Sequence, residues 1–216
     1  MSNEATLKYP IADLLTSKRF QIDMIKLEHS HPQYFDRTID LVILDTARQI
    51  TGAFEFKLAK ATTNGDPEKQ RIFNDIARMY AVAKVQQCPA FVLIAGKEAD
   101  FIQKFRSITG AKAGKGQNTT IPAPQGFYTE WFDFVKDGVK SFSLTSALSS
   151  EYANIYQKFD KDYVQRLQVS PLVLPAKIQT RCLAISAFSR ANPTPFVAGL
   201  WQIQEDGGFA VNDVSI

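Results

Sequence analysis

Two short β-prone runs carry ionisable side chains where a buried strand ordinarily has none, and they constrain the fold of this chain more than any other feature. Thr38 to Asp45 (TIDLVILD) and Ile50 to Leu58 (ITGAFEFKL) are rich in β-branched, aromatic and other apolar residues, and the connection from Asp45 to Gln49 is short and polar. An antiparallel hairpin is the economical reading. Strand alternation then puts Glu55 and Lys57 on one face and turns Phe54 and Phe56 to the other, into the core. Asp40 interrupts the first strand between Ile39 and Leu41. In a hairpin, Asp40 and Glu55 approach each other near one end of the paired strands. Two carboxylates there repel and are costly to desolvate unless a cation sits between them. A hard divalent metal held by carboxylate oxygens, a backbone carbonyl and waters resolves that cost. A neighbouring lysine then orients an attacking water and offsets charge growing on a phosphate. The plainer alternative, a solvated face with ordinary strand-end charges, predicts cleaner polar alternation than Leu41-Val42-Ile43-Leu44 displays.

The flanking sequence supplies helices. Leu14, Leu15, Ile22, Ile25 and Leu27 recur at broadly helical spacing and predict one helix, continuous or broken, from Ile11 to about His29, ending before Pro32. From Pro67 to Gln86, Ile72, Phe73, Ile76, Met79, Tyr80 and Ala83 form one apolar stripe, with Lys69, Asp75 and Arg78 off it. Pro67 suits the first turn of that helix. Ala90 to Gly96 (AFVLIAG) has the continuous apolar character of an interior strand, and Lys97 to Ser107 reads as a further helix. The expected architecture is α/β: a mixed central sheet with helices on its faces. Residues 108–126, with four Gly, two Pro and no acids, are expected to be a long loop. Helical pieces are expected over roughly 127–136 and 150–167, and a strand pair over Gln179 to Phe188 and Phe196 to Gln204. One domain spanning 1–216 is expected, with a core at about 10–107 and a C-terminal elaboration over 108–216.

Composition narrows the function classes without choosing among them. The 216 residues are 45% apolar, hold two cysteines and carry a net charge of +3, which excludes disulfide-stapled and disordered classes. No apolar stretch is long enough to span a bilayer, so no membrane association is expected. The opening MSNEATLKYP lacks the pattern of a secretory signal, and a cytoplasmic protein is expected. From Lys97 to Lys115 five basic residues face two acids, so that stretch alone matches the whole-chain excess and leaves a nucleic-acid partner open.

The segment RTIDLVILD, five residues, then TGAFEFKLA resembles the PD-(D/E)xK nuclease superfamily, whose restriction-endonuclease-like core runs α-β-β-β-α-β. The resemblance covers about residues 10–107. It implies that Asp40 and Glu55 are metal ligands, that the backbone carbonyl of Phe56 is a further ligand, and that Lys57 is the catalytic lysine. It implies Mg²⁺ (or Mn²⁺) as cofactor and phosphodiester hydrolysis as activity, with DNA the expected substrate. Asp40, Glu55 and Lys57 together form the implied catalytic set. Many members add an acid from the first helix; of Asp13, Asp23 and Glu28, Glu28 is favoured because it lies nearest the helix's C-terminal end. The helix after the motif implies polar contributions from Gln70, Asp75 and Arg78. Gln70 and Arg78, together with Lys112 and Lys115 of the basic loop, are the candidate nucleic-acid contacts. A homodimer, as members use to cut two strands, is allowed. The sequence departs from the family pattern at Ile39, where a proline often stands.

Two other classes stay open: a non-catalytic member of the same fold that binds nucleic acid or protein, and an unrelated α/β protein. His29 and His31 flank Ser30, but without a third ligand nearby they read as surface histidines rather than a metal pair. The glycine-lysine run at 110–116 lacks the spacing of a nucleotide-binding loop. Phe127, Tyr128, Trp131, Phe132 and Phe134 invite base stacking, yet packing onto the sheet is the stronger expectation.

Overall fold

Strand registers in the computed structural model assemble one seven-stranded mixed sheet. The structure describes residues 5–18, 20–32, 37–60, 66–105, 131–133, 135–143, 175, 177–186 and 196–205. The elements are α1 (Ala5–Ser17), a 3-10 turn (Ile22–Met24), β1 (Ile25–Ser30), β2 (Thr38–Leu44), β3 (Ile50–Ala59), α2 (Asp66–Gln86), β4 (Ala90–Lys97), α3 (Glu98–Phe105), β5 (Val139–Ser143), β6 (Lys177–Ile185) and β7 (Phe196–Glu205). Across the sheet the order is β1-β2-β3-β4-β7-β6-β5. Among the described strands only β3 and β4 run parallel, joined by the crossover helix α2.

Alternation along the strands divides the interior into two layers. Leu41 and Phe56 pack with Ile25 beneath α1, against Leu7, Ile11, Ala12 and Leu15, which recur at helical spacing. On the opposite face Val42, Ala53, Ala59, Val92 and Ile94 meet Ile72, Phe73, Ile76, Met79 and Tyr80 of α2, the stripe expected from the sequence. Glu55 and Lys57 share the β3 face of Ala53 and Ala59 and so lie under α2. The β2–β3 hairpin is present as expected. Its turn is held by the Asp45 side chain, which accepts the Gln49 N–H at 2.8 Å, and by Arg48 in a left-handed conformation (φ 64°).

Two expectations are corrected here. The segment read as a helix up to His29 leaves the helix at Ser17 and becomes strand β1. In IKLEHS, Ile25 and Leu27 are more buried than Lys26 and Glu28, the period-two pattern of an edge strand, and pairing with β2 outweighs the weak helical spacing. The helix expected over 127–136 is not helical among the described residues: 131 lies in a turn, 132–133 have no regular structure, and 135–137 form a bend and turn. Trp131 and Phe132 are fully buried, as the packing expectation required, with Phe132 against Trp201 at 5.0 Å between centroids. The closing strand pair is present as β6 and β7, and β7 pairs antiparallel with β4, so the later strands extend the same sheet. Strand β5 had no expectation. The loop at 108–126 and the helix at 150–167 lie outside the described residues. No helix among the described residues is long and apolar enough to cross a membrane.

The parallel β3–β4 pair closes tightly at Gly96, opposite Ala59, where an added Cβ would sit 2.6 Å from the Ala59 carbonyl oxygen. Backbone cannot yield as a flexible side chain does. Gly96→Ala is therefore expected to destabilise the fold by about 1–3 kcal/mol in urea unfolding. An unchanged midpoint would contradict that close approach.

Candidate active site

Asp40 sits where two strand ladders break. The β2–β3 register ends at Leu41↔Phe54. The next inward amide, Phe56 N–H, donates to Asp40 Oδ2 at 2.7 Å instead of to a backbone carbonyl. On the other side, the β1–β2 register passes from Leu27↔Leu41 to His29↔Ile39 and steps over Glu28 opposite Asp40. Glu28 is left-handed there (φ 52°), a backbone state that costs a non-glycine residue about 1–3 kcal/mol and persists only where surroundings enforce it. Enforcement comes from its side chain: Thr38 Oγ1 donates to Glu28 Oε2 at 3.0 Å, and Lys8 Nζ donates to Glu28 Oε1.

Lys8 is the residue that sequence reasoning missed. It comes from the first turns of α1, is only 9% exposed, and places Nζ 2.7 Å from Asp40 Oδ1. Burial opposes its charge, but the hydrogen bonds to Asp40 and Glu28 outweigh that and raise its pKa above the ordinary value. The Lys8 hydrogen bond in turn holds Glu28 below the usual carboxylate range. One lysine on an amphipathic helix carries no local signal of such a role. Glu28 itself is placed on β1 and not on the first helix, and its side chain remains half exposed.

A second ionic group lies beneath α2. Lys57 Nζ is 3.3 Å from Glu55 Oε1 and 2.8 Å from Asp75 Oδ2. Arg78 closes the ring, 3.4 Å from Glu55 Oε1 and paired with Asp75 Oδ1 one helical turn before it. Asp75 and Arg78 were expected on non-core faces of this helix; Asp75 is instead buried, because the polar patch of β3 lies under it. Burial raises the Glu55 pKa, opposed by Lys57, reinforced by the charge of Asp40 and opposed again by Arg78. The charge of Asp40 thus contributes to the Glu55 shift. Of the remaining candidates, Lys112 and Lys115 lie outside the described residues, as does the Gln70 side chain.

His31 borders this cluster and is buried, not on the surface as the sequence suggested. Its Nε2 is 3.3 Å from the Arg78 carbonyl oxygen, an acceptor only, so Nε2 carries the proton in the neutral ring. Burial lowers its pKa to about 4.

Four carboxylates (Glu28, Asp40, Glu55, Asp75) meet three cations (Lys8, Lys57, Arg78) in this region of the described residues. Among the described residues no three His, Cys, Asp or Glu side chains gather into a metal-holding group. Mg²⁺, however, is ordinarily held by one or two carboxylates with waters completing its octahedron. Asp40 and Glu55 supply hard oxygen donors, and four carboxylates against three cations leave the cluster a negative charge that suits a divalent cation. The donor set therefore fits. Comparison with protein-family models, curated proteins and solved structures finds no match to this chain.

The His31 environment sets a pH dependence. Unfolded His31 takes up a proton near pH 6.5 and the folded residue only near about 4, so between these values the unfolded chain binds more protons and stability falls as pH falls. That loss should reach about 3 kcal/mol across the window. Glu55, with its raised pKa, acts in the opposite sense. The difference between wild type and His31→Gln isolates the histidine: urea unfolding of the variant should lack this loss, and equal pH slopes would refute it.

Proposed function

We propose that this chain is a metal-dependent nuclease that hydrolyses phosphodiester bonds, with DNA as substrate. The observation that carries this reading is the burial of Asp40 and Glu55 on neighbouring strands where the β2–β3 ladder ends, with Lys57 Nζ 3.3 Å from Glu55. The element order through the first half, α1-β1-β2-β3-α2-β4, supports it, because a restriction-endonuclease-like core has that order and its metal site at that hairpin.

In this reading Asp40 and Glu55 hold Mg²⁺ or Mn²⁺, with the Phe56 carbonyl as a further oxygen donor on the same side of β3 as its amide. A cation held there would lower the pKa of water beside it and screen the anionic substrate from the carboxylates. Lys57 would orient the attacking water and offset negative charge developing on the phosphate. Asp75, 2.8 Å from Lys57 Nζ, holds the ammonium in place. Arg78 ties Asp75 to Glu55 and so fixes the spacing of ligand and lysine.

A second reading, a non-catalytic nucleic-acid-binding protein, is favoured by one observation: Lys8, Lys57 and Arg78 already pair with every carboxylate of the cluster. The two readings separate in one experiment. Wild type should nick supercoiled plasmid DNA in Mg²⁺ or Mn²⁺, and Asp40→Asn and Lys57→Met should each lose about 100-fold or more of that rate while keeping wild-type circular dichroism. Equal cleavage by all three proteins would reject the site. DNA retention in a gel shift with no cleavage by wild type would select the binding reading.

A further inference from the structure

The two carboxylates assigned above to a shared metal are held by cations from different helices. Glu55 is engaged from α2 by Arg78, and by Lys57 of its own strand. Asp40 is engaged from α1 by Lys8 alone among the described ion pairs. Both oxygens of Asp40 are taken: Oδ2 by the Phe56 amide at 2.7 Å and Oδ1 by Lys8 Nζ at 2.7 Å. The amide is fixed in the sheet and cannot leave. The lysine is on a flexible stem and has a second carboxylate, Glu28, already in its grasp.

A divalent cation bound to Asp40 would lie about 2.1 Å from a carboxylate oxygen. An ammonium on that same carboxylate would face a doubly charged neighbour at close range, so the two compete for Oδ1. We infer that Lys8 is a built-in counter-cation of Asp40 that excludes divalent metal until it withdraws onto Glu28. Glu28 is then the resting place of the lysine and not a metal ligand. The inference rests on Asp40 being a metal ligand.

Other features of α1 agree with this role. Leu7, Ile11, Ala12 and Leu15 fix the helix on the α1-side layer, so the backbone of Lys8 stays in place while its stem turns. Glu28 is held by Thr38 at one carboxylate oxygen and by Lys8 at the other, so its Thr38 bond does not compete with the lysine. Its half-exposed side chain lets the released ammonium gain water, which lowers the cost of the exchange. A protein whose competent state is a minor fraction binds its ligand with affinity reduced by that fraction. Removing the competitor should restore the intrinsic affinity, and removing the resting place should reduce it further.

The test uses Mn²⁺ alone as probe, read by titration calorimetry and by the metal-induced rise in melting temperature, on the full chain. Lys8→Met should bind Mn²⁺ at least tenfold more tightly than wild type, and Glu28→Gln more weakly than wild type. Should Lys8→Met fail to fold with Asp40 left unpaired, Lys8→Gln, which keeps a hydrogen-bond donor without the charge, carries the same expectation. Equal or weaker Mn²⁺ binding by the Lys8 variant, with wild type and variant both losing it on Asp40→Asn, overturns the inference and leaves the metal site standing. No Mn²⁺ binding by wild type or by the folded Lys8 variant at millimolar metal overturns both.

Discussion

The hydrogen bond from the Phe56 amide to the Asp40 carboxylate is the constraint around which the first half of the structure is arranged. It replaces a rung of the β2–β3 ladder with a side chain, so the hairpin ends its backbone pairing at Leu41↔Phe54 while both strands continue. A charged acceptor makes a stronger bond than the backbone carbonyl it displaces. That strength does not cover the desolvation of a buried carboxylate, which costs several kcal/mol. Lys8 is the compensation, and Lys8 can reach only because β1 steps over Glu28 at the same level. The left-handed Glu28 and the interrupted register thus gather around one buried charge, which Lys8 reaches from α1.

Charge balance across the cluster has a direction. The Asp40 side holds its carboxylate and Glu28 around a single lysine, whereas the Glu55 side holds two acids between Lys57 and Arg78. Even with two cations beside it, Glu55 is shifted toward its neutral form, since burial exceeds what Lys57 and Arg78 return and Asp40 adds to it. An apolar replacement of the whole group would serve the fold at least as well, because buried ion pairs rarely out-stabilise packed hydrophobics. A cluster that is costly to the fold and shifts the titration of its members is the arrangement that catalytic and ion-binding sites require.

Much of this was legible in the sequence, for physical reasons that also explain what was not. The hairpin, α2 and β4 announce themselves because their burial is local: a period of two, a stripe at three and four, a continuous apolar run. Asp40, Glu55 and Lys57 stood out because each is an ionisable residue in a strand that is otherwise apolar. Strand β1 did not, since IKLEHS is an edge strand with its outer face in water and its pattern is supplied by pairing with β2. Lys8, Asp75 and His31 were hidden for a different reason. Their burial is created by elements distant in sequence, Asp40 for Lys8, Lys57 for Asp75 and Arg78 for His31. A window of local sequence contains only one partner of each pair.

The later strands act on the site through α2. Without β7, strand β4 would be an edge, and the parallel β3–β4 pair that fixes the Glu55-to-Lys57 spacing would have a free border. Strand β7 also reaches the helix directly: Glu205 pairs with Lys84 at 2.7 Å and accepts from Tyr80 at 3.3 Å, and the Glu205 charge adds to burial in pushing the Tyr80 pKa up to about 12. Farther toward its N-terminus the same helix is tied to β3 by Asp75 and Arg78. A helix fastened at two levels cannot roll about its axis without breaking one set of contacts. Rolling is the motion that would draw Asp75 from Lys57, so a strand some 150 residues downstream sets the aim of the lysine.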